Sequence, residues 1–305
     1  MKIAIVGAGG VGGYYGALLA RSGHEVAFIA RGEHLQALHA KGLQVKSILG
    51  DFAVSPVRAT AKPAEIGPVD LIVVAVKTYH LDEAAQMLAP LLAPTTTVLP
   101  FENGVDAAER LGAVIGQSYL LGGATWVSAA IEAPGVIGHY SQFRRVVLGE
   151  FNGYVTPRLQ AIYEAFQSTG ISVEISADIR TVLWSKLVFI AAVGAIGSLT
   201  RVTFGEFRQV NETRVALKAA IAEIIAVGQA NGAKSEAALA EKTLAFIDQS
   251  AAELKPSLQR DIEAGRVSEL ESLIGVVVRL GAEAGVPTPV MSFAYAMLKP
   301  GLLKA

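Results

Sequence analysis

The chain opens with short apolar runs broken by glycine and polar clusters, and their spacing predicts alternating strands and helices. "KIAIV" (2–6) is apolar, β-rich and stopped by glycine, as expected of a short buried strand. A helical period runs from about Val11 to Ser22, and Gly23 supplies its C-terminal stop. "EVAFIAR" (25–31) predicts a second strand, and the Leu/Ala-rich stretch from Glu33 to Lys41, ended by Gly42, a second helix. The alternation continues through "DLIVVAVK" (70–77, strand), "LDEAAQMLAPLL" (81–92, helix) and "TTVLPF" (96–101, strand). Apolar strands alternating with helices form a parallel sheet covered on both faces.

After about residue 118 the rhythm changes. "YLLGGATWVSAAI" (119–131), "GVIGHYS" (135–141) and "RRVVLGE" (144–150) predict strands joined by short turns, then a helix near 155–169 and a strand "ISVEIS" (171–176). From Asp178 onward the strand signal is almost gone. Residues 180–200, 209–232, 237–250, 257–264 and 268–285 are helical by period and by Ala, Leu and Glu content. The expected fold class is therefore α/β: a Rossmann-type, doubly wound parallel sheet in residues 1–177 and an all-helical C-terminal domain in 178–305.

Composition narrows the function classes. A chain of 305 residues is long enough for two domains, and 52% hydrophobic residues can fill their cores. The formal net charge of -1 supplies no basic surplus for nucleic acid or an anionic membrane. With no cysteine there is no disulfide, thiol nucleophile or Cys-based zinc site, which fits a reducing cytoplasm. No metal-ligand spacing occurs. Lys2 and the apolar run after it imitate a signal peptide, but the glycine placement argues for a strand and loop instead. The run Leu187 to Leu199, interrupted by Gly194 and Gly197, reads as a buried core helix rather than a membrane span.

Gly7-Ala8-Gly9-Gly10-Val11-Gly12 is a G-x-G-x-x-G that directly succeeds a predicted strand and opens a helix. In that context Gly7 permits the tight turn, Gly9 lets the backbone approach a pyrophosphate, and Gly12 lets helix pack on strand. The helix start offers free N–H groups and a positive dipole end to the phosphates. An NAD-selective site usually carries an acid at the end of the second strand to bond the ribose 2′-hydroxyl. Here that strand ends in Arg31, whose guanidinium suits a 2′-phosphate, so NADPH/NADP+ is the expected cofactor. Lys77 and Asn103 end two further strands at the edge where such sheets bind ligands. A solvated strand cap for Lys77 and a simple Asn-Gly turn for Asn103 are the competing readings.

A nicotinamide domain joined to a helical one suggests hydride transfer to a carbonyl held between them, which requires a proton donor. Five histidines offer no pairing suited to it. Lys186, within "LWSKLVFIAAVG", is a donor candidate, since burial lowers a lysine pKa. A lysine snorkelling from the first turn of a core helix is the alternative. Glu269 falls in the first turn of a helix that a capping box, Ser268 with Glu271, would start. Ser257 could equally be the cap of the preceding helix.

The chain resembles the 2-dehydropantoate 2-reductase (ketopantoate reductase) family nearly end to end. The resemblance is carried by "KIAIVGAGGVGGYYGALLARSGHEV", Arg31, "VVAVKTYH", "ENGVD", "WSKL", "SLQRDIEAGRVSELESLIGVVVRLG" and "GVPTPV". It implies NADPH-dependent reduction of 2-dehydropantoate to pantoate, on the way to pantothenate and coenzyme A. It further implies that Lys186 is the catalytic proton donor, and that Glu269 binds the substrate hydroxyl and supports the lysine. Ser257 would hold the substrate carboxylate, and Asn103 would lie near nicotinamide and substrate. Arg31 and Lys77 would surround the adenosine phosphate.

Asparagines common in the family are replaced by Ile190, Gly194 and Leu254. Ile190 and Gly194 lie four and eight residues after the lysine, so a stripe that is polar in many relatives is apolar and small here. A more apolar 2-oxo acid is therefore the alternative substrate, and a sensor that holds NADP(H) without turnover the alternative class. Pairing of the apolar helical domain with a second copy, as a homodimer, is a further expectation.

Overall fold

The computed structural model describes residues 1–302, so the last three residues of the 178–305 domain lie outside the described residues. Its contacts divide the chain into two units. One comprises Met1–Glu102 and Ala107–Ile179, the other Asn103–Asp106 and the remainder from Arg180.

The first unit carries every named strand: β1 (Lys2–Val6), β2 (Glu25–Ile29), β3 (Leu43–Ser47), β4 (Phe52–Val54), β5 (Arg58–Thr60), β6 (Leu71–Val74), β7 (Thr97–Pro100), β8 (Gly122–Trp126), β9 (Ala129–Ala133), β10 (Val136–His139), β11 (Arg145–Gly149) and β12 (Ser172–Ile175). Its helices are α1 (Gly10–Arg21), α2 (Gly32–Lys41), α3 (Leu81–Gln86), α4 (Ala107–Ile115) and α5 (Pro157–Gln167). The central sheet has the order β5-β2-β1-β6-β7 and is parallel throughout. The chain runs from β1 outward through β2 to β5, then crosses back to β6. That reversal beside β1 opens a crevice at the carboxyl edge, where Gly7 begins. A second sheet, β4-β3-β10-β9, covers α1, and a third, β12-β11-β8, meets the central sheet at the Val98–Leu120 bridge.

Residues 43–60 hold three strands that the apolar pattern does not predict. β3 alternates buried and exposed residues, and β4 and β5 are three residues each with mixed burial. They lack the continuous apolar run of a two-face-buried strand and are fixed by pairing, β3 with β10, β4 with β3 and β5 with β2. α4 is likewise absent from the pattern. The helix expected over 81–92 stops at Gln86, because Pro90 cannot continue it and the segment Ala89–Leu91 tightens into a 3-10 turn. Ile179, two residues past the expected division, belongs to the first unit: its side chain fills the faces of Gly122 and Gly149, where a Cβ would come within 2.6 and 2.8 Å of it.

The second unit is built on α6 (Ile179–Thr200) from Arg180 onward, with α7 (Phe204–Phe207), α8 (Asn211–Ala230), α9 (Leu239–Gln249), α10 (Ser257–Glu263), α11 (Val276–Glu283) and α12 (Pro289–Leu302). The helical pattern of the sequence has no counterpart for α7 or α12. α6 is long and apolar enough to cross a membrane by length and composition, yet 61% of its most apolar window is buried inside the protein. Its small residues explain that burial. The Trp184 ring packs on Gly228 of α8, and Leu258 and Gln259 of α10 pack on Gly194 and Gly197. Arg201, in the left-handed region at φ 60°, ends the helix.

The helix expected over 268–285 differs in its first turn. The helical path starts at Leu270, and Glu271–Gly275 form a π-turn before α11. The capping box does not form. Ser268 Oγ is buried without a hydrogen-bond partner, while Glu271 accepts from Tyr295 Oη at 2.8 and 3.0 Å and from Lys299 Nζ. A strong phenol and ammonium pair on α12 outcompetes a serine three residues away.

Candidate active site

The turn after β1 places each glycine of the 7–12 loop in a distinct role. Gly7 has φ +97°, and a Cβ there would lie 2.8 Å from Ala75 O, so only glycine fits. A Cβ on Gly12 would lie 2.1 Å from Gly7 O, so its absence lets α1 seat on the loop and on Ile5. Gly10 is equally constrained, with Ala129 O of β9 at 2.2 Å from such an atom, a role the motif alone does not reveal. Gly9 is different: a Cβ there would meet no protein atom within 4 Å. Its backbone faces the open cleft, as close approach by a pyrophosphate requires. Ala8 is buried in the turn, and Val11 lies in the first turn of α1, where the leading N–H groups lack intrahelical acceptors. The loop fits a dinucleotide phosphate.

This loop shares a cleft of about 280 Å³ with Arg31, His34, Val76, His80, Glu83 and Met87. Arg31 is exposed at the tip after β2 and is already engaged. Its Nη1 lies 2.6 Å from Glu83 Oε1, and its Nη2 donates to Met87 Sδ at 3.0 Å. Glu83 also lies 3.5 Å from His80 Nδ1. The hydrogen bond from Arg31 holds the Glu83 carboxyl below its ordinary range, with its charge and that of His80 adding to the effect. Glu83 is marked by no motif, and His80 closes the stretch "VVAVKTYH" with no role assigned to it. α3 carries Glu83 to the tip of β2 from more than 50 residues further along, so no local signal points to it. His34 is likewise unassigned by sequence. Burial lowers its pKa and keeps it neutral, and its Nδ1 accepts from the Gly135 N–H at 3.1 Å, leaving its proton on Nε2. Lys77 is exposed just beyond β6, and its side chain is not among the cleft-lining groups.

The helical unit holds the other candidates. Lys186 is half-buried between the buried Trp184 and Leu187, in the third turn of α6 rather than the first. Glu269 is only 6% exposed. It directly precedes the helical path, and its carbonyl accepts from the Leu273 N–H at 3.0 Å. Leu187, beside Lys186, and Leu270, beside Glu269, belong to one apolar cluster. Asn103 is half-buried in a segment that packs on the π-turn: a Cβ on Gly104 would lie 2.9 Å from Ser272 O, and Asp106 pairs with Arg279 at 3.2 Å.

Ser257 is exposed at the first position of α10, and the cap position before it is Pro256, so Ser257 does not cap the helix. The face of Gly194 is not an open notch. Leu258 fills it, with Cδ2 3.1 Å from where a Cβ would stand. Ile190 is half-buried, and Leu254 is 47% exposed. Gly194 thus serves helix packing, which corrects its expected place in a substrate wall.

Residues 3–153 match the family described as "Ketopantoate reductase PanE/ApbA", and residues 178–301 match its C-terminal region. The chain is 32% identical over 299 residues to the uncharacterized oxidoreductase YkpB of Bacillus subtilis, spanning 98% of each protein. It is 31% identical to a 2-dehydropantoate 2-reductase of Mesorhizobium japonicum, covering 98% of this chain and 97% of that one. The crystal structure of 2-dehydropantoate 2-reductase from Geobacter metallireducens GS-15 matches with a TM-score of 0.92 at 30% identity, over 98% of this chain and 99% of that chain. With the parallel sheet, the glycine loop and the helical unit matched from end to end, this chain belongs to the ketopantoate reductase family of oxidoreductases.

Proposed function

We propose that the protein is an NADPH-dependent reductase of 2-oxo acids, with 2-dehydropantoate as substrate and pantoate as product. The observation that carries this reading is Glu269, a carboxylate 6% exposed in the apolar cluster whose members also flank Lys186. A carboxylate so buried is costly unless polar groups meet it, and such groups gather where chemistry is done. A bound nicotinamide supplies the hydride for the keto carbon. Lys186 holds a proton at Nζ for the oxygen that becomes the hydroxyl, Glu269 orients the substrate hydroxyl and supports the lysine, and Ser257 with Asn103 positions the acid. Gly7 to Gly12 hold the pyrophosphate, and Arg31 the adenosine phosphate.

A second substrate reading rests on Ile190, half-buried on α6 four residues after Lys186. An apolar side chain there suits a branched or aromatic 2-oxo acid. Purified protein assayed with a panel of 2-oxo acids, against NADPH and NADH in parallel, separates the readings. A preference of orders of magnitude for another acid rejects 2-dehydropantoate. Tight cofactor binding without turnover on any acid rejects the enzyme.

A further inference from the structure

Among the described residues, Arg31 is the only lysine or arginine lining the cofactor cleft, and Glu83 is its only carboxylate. The two are joined at 2.6 Å. Their charges cancel, so the cleft does not present the positive field that a lone arginine at the tip of β2 would imply. A 2′-phosphate carries nearly two negative charges at neutral pH. To reach Arg31 it must displace Glu83 or share one guanidinium with it, and either arrangement leaves a carboxylate beside a phosphate. A ribose 2′-hydroxyl meets no such conflict. A carboxylate near the end of the second strand is what NAD-selective sites use to accept from that hydroxyl. In this chain the acid arrives from α3 rather than from β2.

Resting on the reading of this cleft as the nicotinamide-cofactor site, we propose that Glu83 sets the cofactor preference: it weakens selection for NADPH by holding Arg31 and opposing the 2′-phosphate, and it offers NADH an acceptor for its 2′-hydroxyl. Both partners are more than half exposed, at 57% and 51%. Their pairing is therefore weak enough for a phosphate to break, and the opposition is graded rather than absolute.

The test is direct titration of wild-type protein, Glu83→Gln and Arg31→Ala with NADPH and with NADH, monitored by cofactor fluorescence and needing no substrate. In Glu83→Gln, NADPH is expected to bind about fivefold to tenfold more tightly and NADH equally or less tightly. The change in their ratio should shrink as salt rises, because screening weakens charge opposition at an exposed site. Arg31→Ala should weaken NADPH selectively. An NADPH-to-NADH ratio unchanged by Glu83→Gln, with both cofactors still bound, overturns the role of Glu83 and leaves the cleft assignment standing. Failure of the wild-type protein to bind either cofactor overturns the cleft assignment itself. Glu83 is a surface group of a short helix, and the amide preserves its shape, so thermal unfolding should match the wild type.

Discussion

The Leu258 side chain closes over Gly194, with Cδ2 3.1 Å from the point a β-carbon would occupy. α10 lies this close to α6 with residue 194 lacking a side chain, and any β-carbon there would have to push Leu258 aside. Gly194→Asn therefore overpacks the contact and is expected to cost about 1–3 kcal/mol by thermal unfolding. Trimming the neighbour in Gly194→Asn/Leu258→Ala should restore part of that loss. A double variant no more stable than the asparagine variant alone would separate Leu258 from the effect.

Two glycines of one motif should respond differently. Gly9→Ala adds a methyl group that meets no protein atom within 4 Å, whereas Gly12→Ala drives one to within 2.1 Å of Gly7 O. Gly9→Ala should keep the wild-type melting temperature and lose cofactor affinity. Gly12→Ala should lose both. Melting curves with and without NADPH distinguish these outcomes.

Much of the architecture is legible because the central strands are buried on both faces. β1 and β6 are apolar almost without interruption, and an apolar run bounded by glycine or a turn declares itself. β4 and β5 do not, because each is only three residues of mixed burial: β4 is an edge strand held by β3 alone, and β5 is held by β2, far earlier in the chain. The site divides in the same way. Gly7 to Gly12 act within one turn and are readable from spacing. Glu83 acts on Arg31 from α3, far along the chain, and no periodicity records that meeting. Gly194 is misplaced by the sequence pattern because its partner Leu258 approaches from another helix.

Lys186→Ala should lower kcat by about 10²- to 10⁴-fold, the usual contribution of a positioned proton donor. NADPH affinity should change little. Turnover within a few fold of wild type would remove Lys186 from the chemistry.

Glu150 lies just past β11 at 5% side-chain exposure and accepts from Arg158 Nε and Nη2, both at 2.7 Å, and from Thr156 Oγ1 at 2.6 Å. Burial pushes its pKa up, but the Arg158 and Thr156 hydrogen bonds and the Arg158 charge outweigh it, leaving the carboxyl below its ordinary range. A group depressed in the folded state stabilises above its unfolded pKa, and that contribution fades as pH falls through the folded value. Arg158→Met strands the carboxylate and should cost about 3 kcal/mol at neutral pH. The local pH dependence should also reverse, with the variant closing its gap to wild type as pH drops toward about 4. Melting temperatures across that range read both effects.

The π-turn at Glu271–Gly275 has a mechanical consequence. It holds one residue more than an α-turn would, so it works as a spacer that sets the angular phase between the chain on its N-terminal side and the chain on its C-terminal side. Glu269 stands on the first side, and the α11–α12 pair, clamped to the turn through Glu271, Tyr295 and Lys299, on the second. Deleting a single residue from 271–275 would let the ladder close as α-helix and swing Glu269 by about 100° around the axis. The aim of this carboxylate is thus held by the count of residues in a turn to which it does not belong.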